Sequence, residues 1–333
     1  MEEIEFYKEE VRKNPDDALT HNNLGIAYSQ LGKHKEAKES YEQAIRIDPD
    51  YRNAHNNLGL AYGELGKWKE AIKSHKQAVM VDPNLAHAHY NLGLAYANLG
   101  KWKEAKESYK QVIRIDPDYA LAHDNLGLAY GELGKWKEAI KSHKQAIRID
   151  SAYKGSHYNL GLAYSQLGKH EEAIEAFKQA IMIDPDFAVA HNNLGIVYGR
   201  LGKHEEEIES YKQAIRINPD YALAHYNLGM VYYGLGKYEE AIESFKHAIR
   251  SDPDDATAHN ELGTAYGNLG KDQEAIESFK QAVMIDPDYA SAHANLGLAY
   301  IWSKDRDSAL EQYTILKTLD TEMANELFNL INK

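Results

Sequence analysis

The stretch "NLGLAYGELGKWKEAIKSHKQA", residues 57–78, returns letter for letter at residues 125–146, which lie 68 positions later. Nine glycines recur every 34 residues, from Gly25 to Gly297. All eight prolines share one register with gaps of 34 or 68 residues, at positions 15, 49, 83, 117, 185, 219, 253 and 287. A fixed period of this length is typical of an array of similar units that stack against one another.

The first complete unit, residues 18–51, has the pattern of two amphipathic helices, which we name A and B. Leu24 belongs to an apolar stripe at helical spacing in helix A, and Gly32 is predicted to end that helix. Tyr41 lies in the stripe of helix B. Pro49 stops helix B, because proline lacks an N–H and restricts the residue before it. Each unit is therefore predicted to be a helical hairpin with small residues where its helices approach.

These units resemble tetratricopeptide repeats. The residues of the first unit that carry the resemblance are Leu24, Gly25, Tyr28, Ala37, Tyr41, Ala44 and Pro49. Most of them recur in nine consecutive units, from residues 18–51 to residues 290–323. The resemblance implies an all-α fold, in which antiparallel helix pairs stack into a right-handed superhelical solenoid whose A helices line a concave groove.

The repeat register also predicts the domain organisation. Residues 1–17 fit a half-repeat that consists of helix B only, and residues 18–323 hold the nine units. Residues 324–333 are predicted to form a C-terminal capping helix that covers the last unit through Leu327, Leu330 and Ile331. Because the sequence starts within a unit, it fits either a fragment of a larger protein or a natural half-cap.

Composition excludes several classes of function. The formal charge is −13, so the chain lacks the basic surface that nucleic-acid binding needs. There is no apolar run of about 18 residues that could span a membrane. The sequence contains no cysteine, which excludes disulfides and thiolate chemistry. We expect a soluble cytoplasmic protein with no nucleic-acid or membrane partner.

No candidate catalytic group stands apart from the repeat. We find no nucleophile–base pair, carboxylate pair or phosphate-binding loop outside the repeated pattern, so the sequence predicts a non-enzyme without a cofactor. Counting Ala18 as position 1, a histidine occupies position 4 of every unit, from His21 to His293. Successive units are too far apart for these histidines to share one metal ion, so we interpret them as packing residues. Trp68, Trp102 and Trp136, at position 17, are interpreted in the same way.

Position 6 of helix A suggests a binding surface. Asparagine is a mediocre helix former, yet it occupies this position in eight of the nine units, and Glu261 is the exception. We call this set the asparagine ladder: Asn23, Asn57, Asn91, Asn125, Asn159, Asn193, Asn227 and Asn295. The ladder resembles the groove of the O-linked N-acetylglucosamine transferase superhelix, in which asparagines hold the backbone of an extended peptide. Alternatively, these amides link neighbouring A helices.

Aromatic residues accompany the ladder. Tyr90, Tyr158 and Tyr226 occupy position 5 in alternate units, and Tyr233 and Trp302 add aromatic surface at positions 12 and 13. Such side chains are typical of binding hot spots. We therefore predict a peptide-binding groove that is lined by amides and aromatic rings and carries little charge.

The function predicted from the sequence is a scaffold that binds an extended segment of a partner protein in this groove. One alternative is the substrate-recruiting arm of a larger enzyme, such as a glycosyltransferase. Another is a structural protein that assembles end to end through its half-repeat.

Two sites break the repeat pattern and are expected to be weak points. Ser151 replaces the proline of the fourth unit, and "KGS" at residues 154–156 replaces an alanine-rich helix start. Glu207 occupies a position that holds alanine in the other eight units. A carboxylate there is expected to destabilise the helix crossing unless it finds a partner.

Overall fold

The computed structural model describes residues 2–332, and the regular elements in that range are helices. The prediction of an all-α array of helix pairs is confirmed. The A helices are α2 (Ala18–Gln30), α4 (Arg52–Glu64), α6 (Ala86–Asn98), α8 (Ala120–Glu132), α10 (Lys154–Gln166), α12 (Ala188–Arg200), α14 (Ala222–Gly234), α16 (Ala256–Asn268) and α18 (Ala290–Trp302).

The B helices alternate with them along the chain. They are α1 (Glu2–Lys13), α3 (His34–Ile47), α5 (Trp68–Val81), α7 (Trp102–Ile115), α9 (Trp136–Ile149), α11 (His170–Ile183), α13 (His204–Ile217), α15 (Tyr238–Ser251), α17 (Asp272–Ile285) and α19 (Arg306–Leu319). The last helix, α20, spans Thr321–Ile331.

The chain divides into two compact units, Met1–Glu172 and Ala173–Lys333. Within each compact unit, A helices pack against the B helix that follows, as α4 does with α5 and α14 with α15, and against a neighbouring A helix, as α4 does with α6. The boundary between the units falls inside α11, so it does not coincide with a repeat boundary.

Glycine ends helix A in the way the sequence predicts. Gly32 has a φ of 69°, a left-handed conformation that costs glycine little. Its N–H bonds to the Ser29 carbonyl at 3.0 Å, and the Lys33 N–H bonds to the Tyr28 carbonyl at 3.0 Å. This double hydrogen bond satisfies the carbonyls at the helix end. In the ninth unit Lys304 adopts the same conformation, with a φ of 63°.

The two helices of a pair touch through a small residue and an aromatic ring. A Cβ on Gly25 would lie 2.5 Å from the Tyr41 ring, so only glycine allows this approach. Ala37 and Ala44 are fully buried on the opposing helix. The predicted close approach at these small residues is confirmed.

The C-terminal helix differs slightly from its prediction. It begins at Thr321 rather than 324, because the Asp320 carboxylate accepts hydrogen bonds from the N–H groups of Glu322 and Met323 and so caps it. Leu327 is buried against Gly297, whereas Leu330 is 40% exposed and lines a pocket with Leu298 of α18.

Candidate functional site

The ladder amides connect neighbouring A helices. Where the contact lies within one compact unit, the Nδ2 of a ladder residue donates to the position-5 side chain of the preceding repeat. Asn57 donates to Asn22 Oδ1 at 3.0 Å, and Asn227 donates to Asn192 Oδ1 at 3.0 Å. The other pairs are Asn91 with Asn56 at 3.1 Å, Asn125 with the Tyr90 hydroxyl at 2.8 Å, Asn159 with Asp124 at 3.1 Å and Asn295 with Asn260 at 2.9 Å.

Asn23 and Asn193 are the remaining asparagines of the ladder. Asn23 lies in the first unit, before which the described chain has only helix α1 and no A helix. Asn193 donates to the Val189 carbonyl at 2.9 Å, within its own helix. All eight ladder residues are partly buried. The linking of A helices, considered from the sequence as an alternative, therefore describes the amide nitrogens of most of the ladder.

The partners at position 5 were missed by the sequence reasoning, which had weighed that position only for its tyrosines. The even-numbered units carry a short polar side chain there, and the third, fifth and seventh units carry tyrosine. The signal that could have revealed them is this alternation of period 68. The short side chains are Asn56, Asp124, Asn192 and Asn260, all buried, with Asn22 in the first unit.

In the second and fourth repeats a buried histidine also hydrogen-bonds to the position-5 side chain. His75 Nδ1 lies 3.1 Å from Asn56 Oδ1, which also accepts from Asn91. Burial lowers the pKa of His75 to about 4, with a smaller contribution from His87. A neutral imidazole that donates its Nδ1–H to the amide oxygen fits both observations.

The position-5 tyrosines are partly buried rather than projecting fully from the surface. Tyr90 packs against the Tyr109 ring at 6.0 Å and the Tyr119 ring at 5.2 Å. Burial raises the pKa of Tyr90 and of Tyr226 to about 12. Tyr158 is likewise partly buried. Each of these three rings therefore offers only part of its area to a ligand.

The two other aromatic candidates differ in exposure. The Tyr233 hydroxyl accepts a hydrogen bond from Asn268 Nδ2 at 3.0 Å, and its ring packs at 5.5 Å from Tyr238. Trp302 is 57% exposed and lies beside Asn295 and Gly267 in a pocket between α16 and α18. Trp302 is therefore the most accessible aromatic ring among the candidates.

Pockets open at matching positions between successive A helices, and each includes a ladder residue. Asn159 lines one of about 160 Å³ between α8 and α10. Asn227 lines one of about 560 Å³ between α12 and α14. Asn295 lines one of about 110 Å³ between α16 and α18. We define the A-helix face by positions 6, 9 and 13 of the A helices, and at these three helix pairs it holds a pocket beside a ladder residue.

The position-4 histidines, interpreted from the sequence as packing residues, share one hydrogen bond to the turn before helix A. In every unit the Nε2 atom lies within hydrogen-bond distance of the carbonyl six residues earlier, which belongs to proline or, for His157, to Ser151. The distance is 2.9 Å from His123 to Pro117 and 3.2 Å from His259 to Pro253. Each histidine therefore ties the start of helix A to the turn before it. Among residues 2–332, no group of three or more histidine or acidic side chains could hold a metal ion.

The tryptophans at position 17 also pack within their own repeats. A Cβ on Gly63 would lie 3.0 Å from the Trp68 ring, and Trp136 stands over Gly131 in the same way. Trp102 contacts the apolar core of the first compact unit. Their packing interpretation is confirmed.

The Glu207 side chain forms hydrogen bonds with two neighbouring residues. Its carboxylate accepts from His204 Nδ1 at 2.9 Å, and its side chain is only 9% exposed. A hydrogen bond with the Tyr211 hydroxyl contributes, after burial, to the raised pKa of that tyrosine. Gly199, across the helix pair, leaves the space that the carboxylate fills. The sequence predicts that a carboxylate here destabilises the helix crossing unless it finds a partner, and Glu207 has two partners, His204 and Tyr211.

None of the helices between residues 2 and 332 combines the length and the apolar content that crossing a bilayer requires.

Comparisons with protein families match nearly the whole chain. Residues 5–195 match the model described as "Cilia and flagella-associated protein 70 C-terminal domain". Three further ranges, 200–236, 231–270 and 268–301, match a model of the TPR repeat. A comparison with curated proteins finds no match.

Solved structures share the fold. The chain is similar to a tetratricopeptide repeat protein from Parabacteroides merdae, with 18% identity over 74% of this chain and 99% of that chain and a TM-score of 0.54. It is similar to the Cut9–Hcn1 structure of the APC/C, with 16% identity over 95% of this chain and 76% of that chain and a TM-score of 0.53. YrrB, described as a TPR protein with an unusual peptide-binding site, is 24% identical over 56% of this chain and 96% of its own, with a TM-score of 0.49.

Proposed function

Since this chain belongs to the tetratricopeptide-repeat family, and over residues 5–195 to the family described as the C-terminal domain of cilia and flagella-associated protein 70, we propose that it is a protein-interaction scaffold. In this proposal an extended segment of a partner protein lies along the A-helix face. The chain binds this segment without catalysing a reaction and without a cofactor. The cytoplasm is the proposed location, which fractionation of the source cells would test.

The amide oxygens of the ladder carry the proposal. Asn159, Asn227 and Asn295 each donate through Nδ2 to the preceding repeat. Their Oδ1 atoms accept no hydrogen bond from any residue between 2 and 332, and each residue lines a pocket of the A-helix face. An oxygen held in place by its own amide nitrogen is a preorganised acceptor for a backbone N–H of an extended peptide.

The spacing of the pockets supports an extended ligand. They recur at matching positions, so a chain that crosses one pocket meets the next ladder oxygen in an equivalent arrangement. Every residue except proline has a backbone N–H group, so this contact gives affinity without selecting particular side chains. Selection would come from the pockets and from partly exposed rings such as Trp302 and Tyr158.

A binding experiment tests the proposal. Peptides are first selected from a random library on the unaltered chain, and their affinities are then measured on a variant in which Asn91, Asn125, Asn159 and Asn193 are replaced by alanine. At about 0.5–1.5 kcal/mol per hydrogen bond, binding should weaken by about 2–6 kcal/mol, or roughly 30-fold to more than 10⁴-fold. Peptides of unrelated sequence should lose affinity alike.

A matched control separates binding from folding. Replacing the exposed outer-face residues Lys69, Lys103 and Lys137 by alanine should leave the affinities unchanged. Unfolding curves of the ladder variant are needed as well, because its amides link repeats. A folded ladder variant that binds the selected peptides as tightly as the unaltered chain contradicts the proposal.

A further inference from the structure

The pocket between α12 and α14 differs from its counterparts along the A-helix face. We name it the Glu207 pocket, and its walls include His204, Glu207, Tyr211, Asn227 and Gly234. Its volume of about 560 Å³ compares with about 160 Å³ and about 110 Å³ at the matching positions of other repeats. A glycine, Gly234, in place of a large side chain accounts for the extra space, and a carboxylate in place of alanine makes the wall acidic.

The carboxylate is buried but retains capacity to accept. The Glu207 carboxylate accepts a hydrogen bond from His204 Nδ1 at 2.9 Å and another from the Tyr211 hydroxyl. An ionised carboxylate has about four lone-pair sites, so two donors leave room for another. A buried carboxylate is costly unless cationic or hydrogen-bonding groups surround it, which makes it a strong acceptor for a positive charge.

Gly234 keeps the pocket open and has no packing reason to be glycine. A Cβ on Gly234 would meet nothing within 4 Å, and Gly234 has no left-handed backbone conformation. The equivalent residues are Gln166 between α8 and α10 and Trp302 between α16 and α18, and both are part of the walls of their pockets. Glycine within a helix weakens it, so its presence here is explained by the space it leaves.

We propose that the Glu207 pocket receives the ammonium or guanidinium end of a lysine or arginine side chain. In the bound segment this side chain lays its apolar stem along Ile196 and Met230, which line the pocket, while its charged end reaches Glu207. This assignment of a basic residue to the partner rests on the proposed peptide binding. The exposed Arg200 lies in the same wall, so an acidic side chain is the competing ligand.

The test uses small probes that do not require a peptide ligand. Nα-acetyl-lysine methylamide is titrated into the chain labelled with ¹³C at the methionine methyl groups. The norleucine analogue has the same stem without the charge, and the glutamate analogue represents the competing ligand. Met230 lines the pocket and reports binding, while the exposed Met182 and Met284 on B helices serve as internal references.

We expect the Met230 signal to shift with the lysine probe at concentrations about tenfold lower than with the norleucine probe. A tenfold difference in affinity corresponds to one hydrogen bond to a charged group. Glu207→Gln keeps a hydrogen-bonding side chain but should remove this preference. Gly234→Gln copies the fifth unit, leaves the carboxylate in place and should weaken binding of both probes.

Equal responses to lysine and norleucine, stronger binding of the glutamate probe, or an unmoved Met230 signal throughout the lysine titration would each overturn the proposal. Thermal unfolding of both variants checks that they are folded. These outcomes are independent of the ladder experiment. A Met230 response together with unchanged peptide affinities in the ladder variant would reject the proposed function and leave the cation site standing.

Discussion

Asp124 and His143 form a buried hydrogen-bonded pair, with Oδ1 of the carboxylate 2.7 Å from Nδ1 of the imidazole. Their side chains are 5% and 2% exposed. The second carboxylate oxygen of Asp124 accepts from Asn159 Nδ2 at 3.1 Å, so this pair links the fourth and fifth repeats. The second repeat holds an equivalent arrangement of Asn56 and His75. Each pair joins helix A to helix B within one repeat, and its acceptor side chain also bonds to the ladder amide of the next repeat.

Removing this acceptor should destabilise the chain. Asp124→Ala leaves a buried imidazole N–H and the Asn159 amide without an acceptor, which costs about 1–3 kcal/mol per group. Asp124→Asn should cost less, because it reproduces the amide of Asn56 in the second repeat. Chemical denaturation of both variants checks the order, and equal losses would show that the charge, not the hydrogen bonds, joins these repeats.

Stability should fall in mild acid because of His75. Burial lowers its pKa in the folded chain to about 4, whereas an unfolded histidine titrates near 6.5. The unfolded state therefore takes up the proton first, so stability is fully present above about pH 6.5 and is lost as the pH falls towards 4. Between pH 7 and 4.5 the free energy of unfolding should lose about 2 kcal/mol from this group.

His75→Phe provides the control for this pH dependence, since phenylalanine occupies the same position in Phe177, Phe245 and Phe279. The variant should lose about 2 kcal/mol less than the unaltered chain over the same pH range. Parallel pH curves for the two proteins would show that His75 is not the titrating group.

The junction between the fourth and fifth repeats should be the easiest to strengthen. Ser156 is 1% exposed and its hydroxyl has no hydrogen-bond partner among the described residues. Ser156→Ala, which copies Ala122, should stabilise the chain by about 1 kcal/mol or more. Ser151→Pro should add about 0.4–1 kcal/mol, because the Ala152 N–H bond to Asp150 and the His157 bond to the Ser151 carbonyl match those of the turn with Pro117.

Hydrogen exchange checks the same junction directly. Amides of residues 150–157 should exchange faster than those of residues 116–123 in the unaltered chain. In the variant with both Ser151→Pro and Ser156→Ala the two rates should converge. Equal protection of the two segments before substitution would contradict the expected weakness.

Glu207→Ala should lower stability, contrary to what the repeat pattern alone suggests. It leaves the buried Tyr211 hydroxyl without its acceptor, at a cost of about 1–3 kcal/mol. The double variant with Tyr211→Phe restores the alanine–phenylalanine pair of the seventh repeat, Ala241 and Phe245, and should recover most of the loss. Denaturation midpoints of the single and double variants decide this, and a stabilised single variant would show that the carboxylate is a defect.

Much of the local structure could be predicted from the sequence because its causes lie within one repeat. Gly32 ends helix α2 through its own backbone conformation. Helix α3 ends at Ile47, two residues before Pro49. These features depend on only a few neighbouring residues, so periodicity and turn chemistry were sufficient to predict them.

The role of each ladder amide could not be predicted in the same way. Asn91 and its acceptor Asn56 are 35 residues apart and meet only because α4 and α6 pack side by side. The sequence determined the period, the helix pairs and the presence of an amide at position 6. Only the tertiary structure decided that its nitrogen links two repeats in most of the ladder, and that Glu207 is paired, because both depend on side chains brought together by packing.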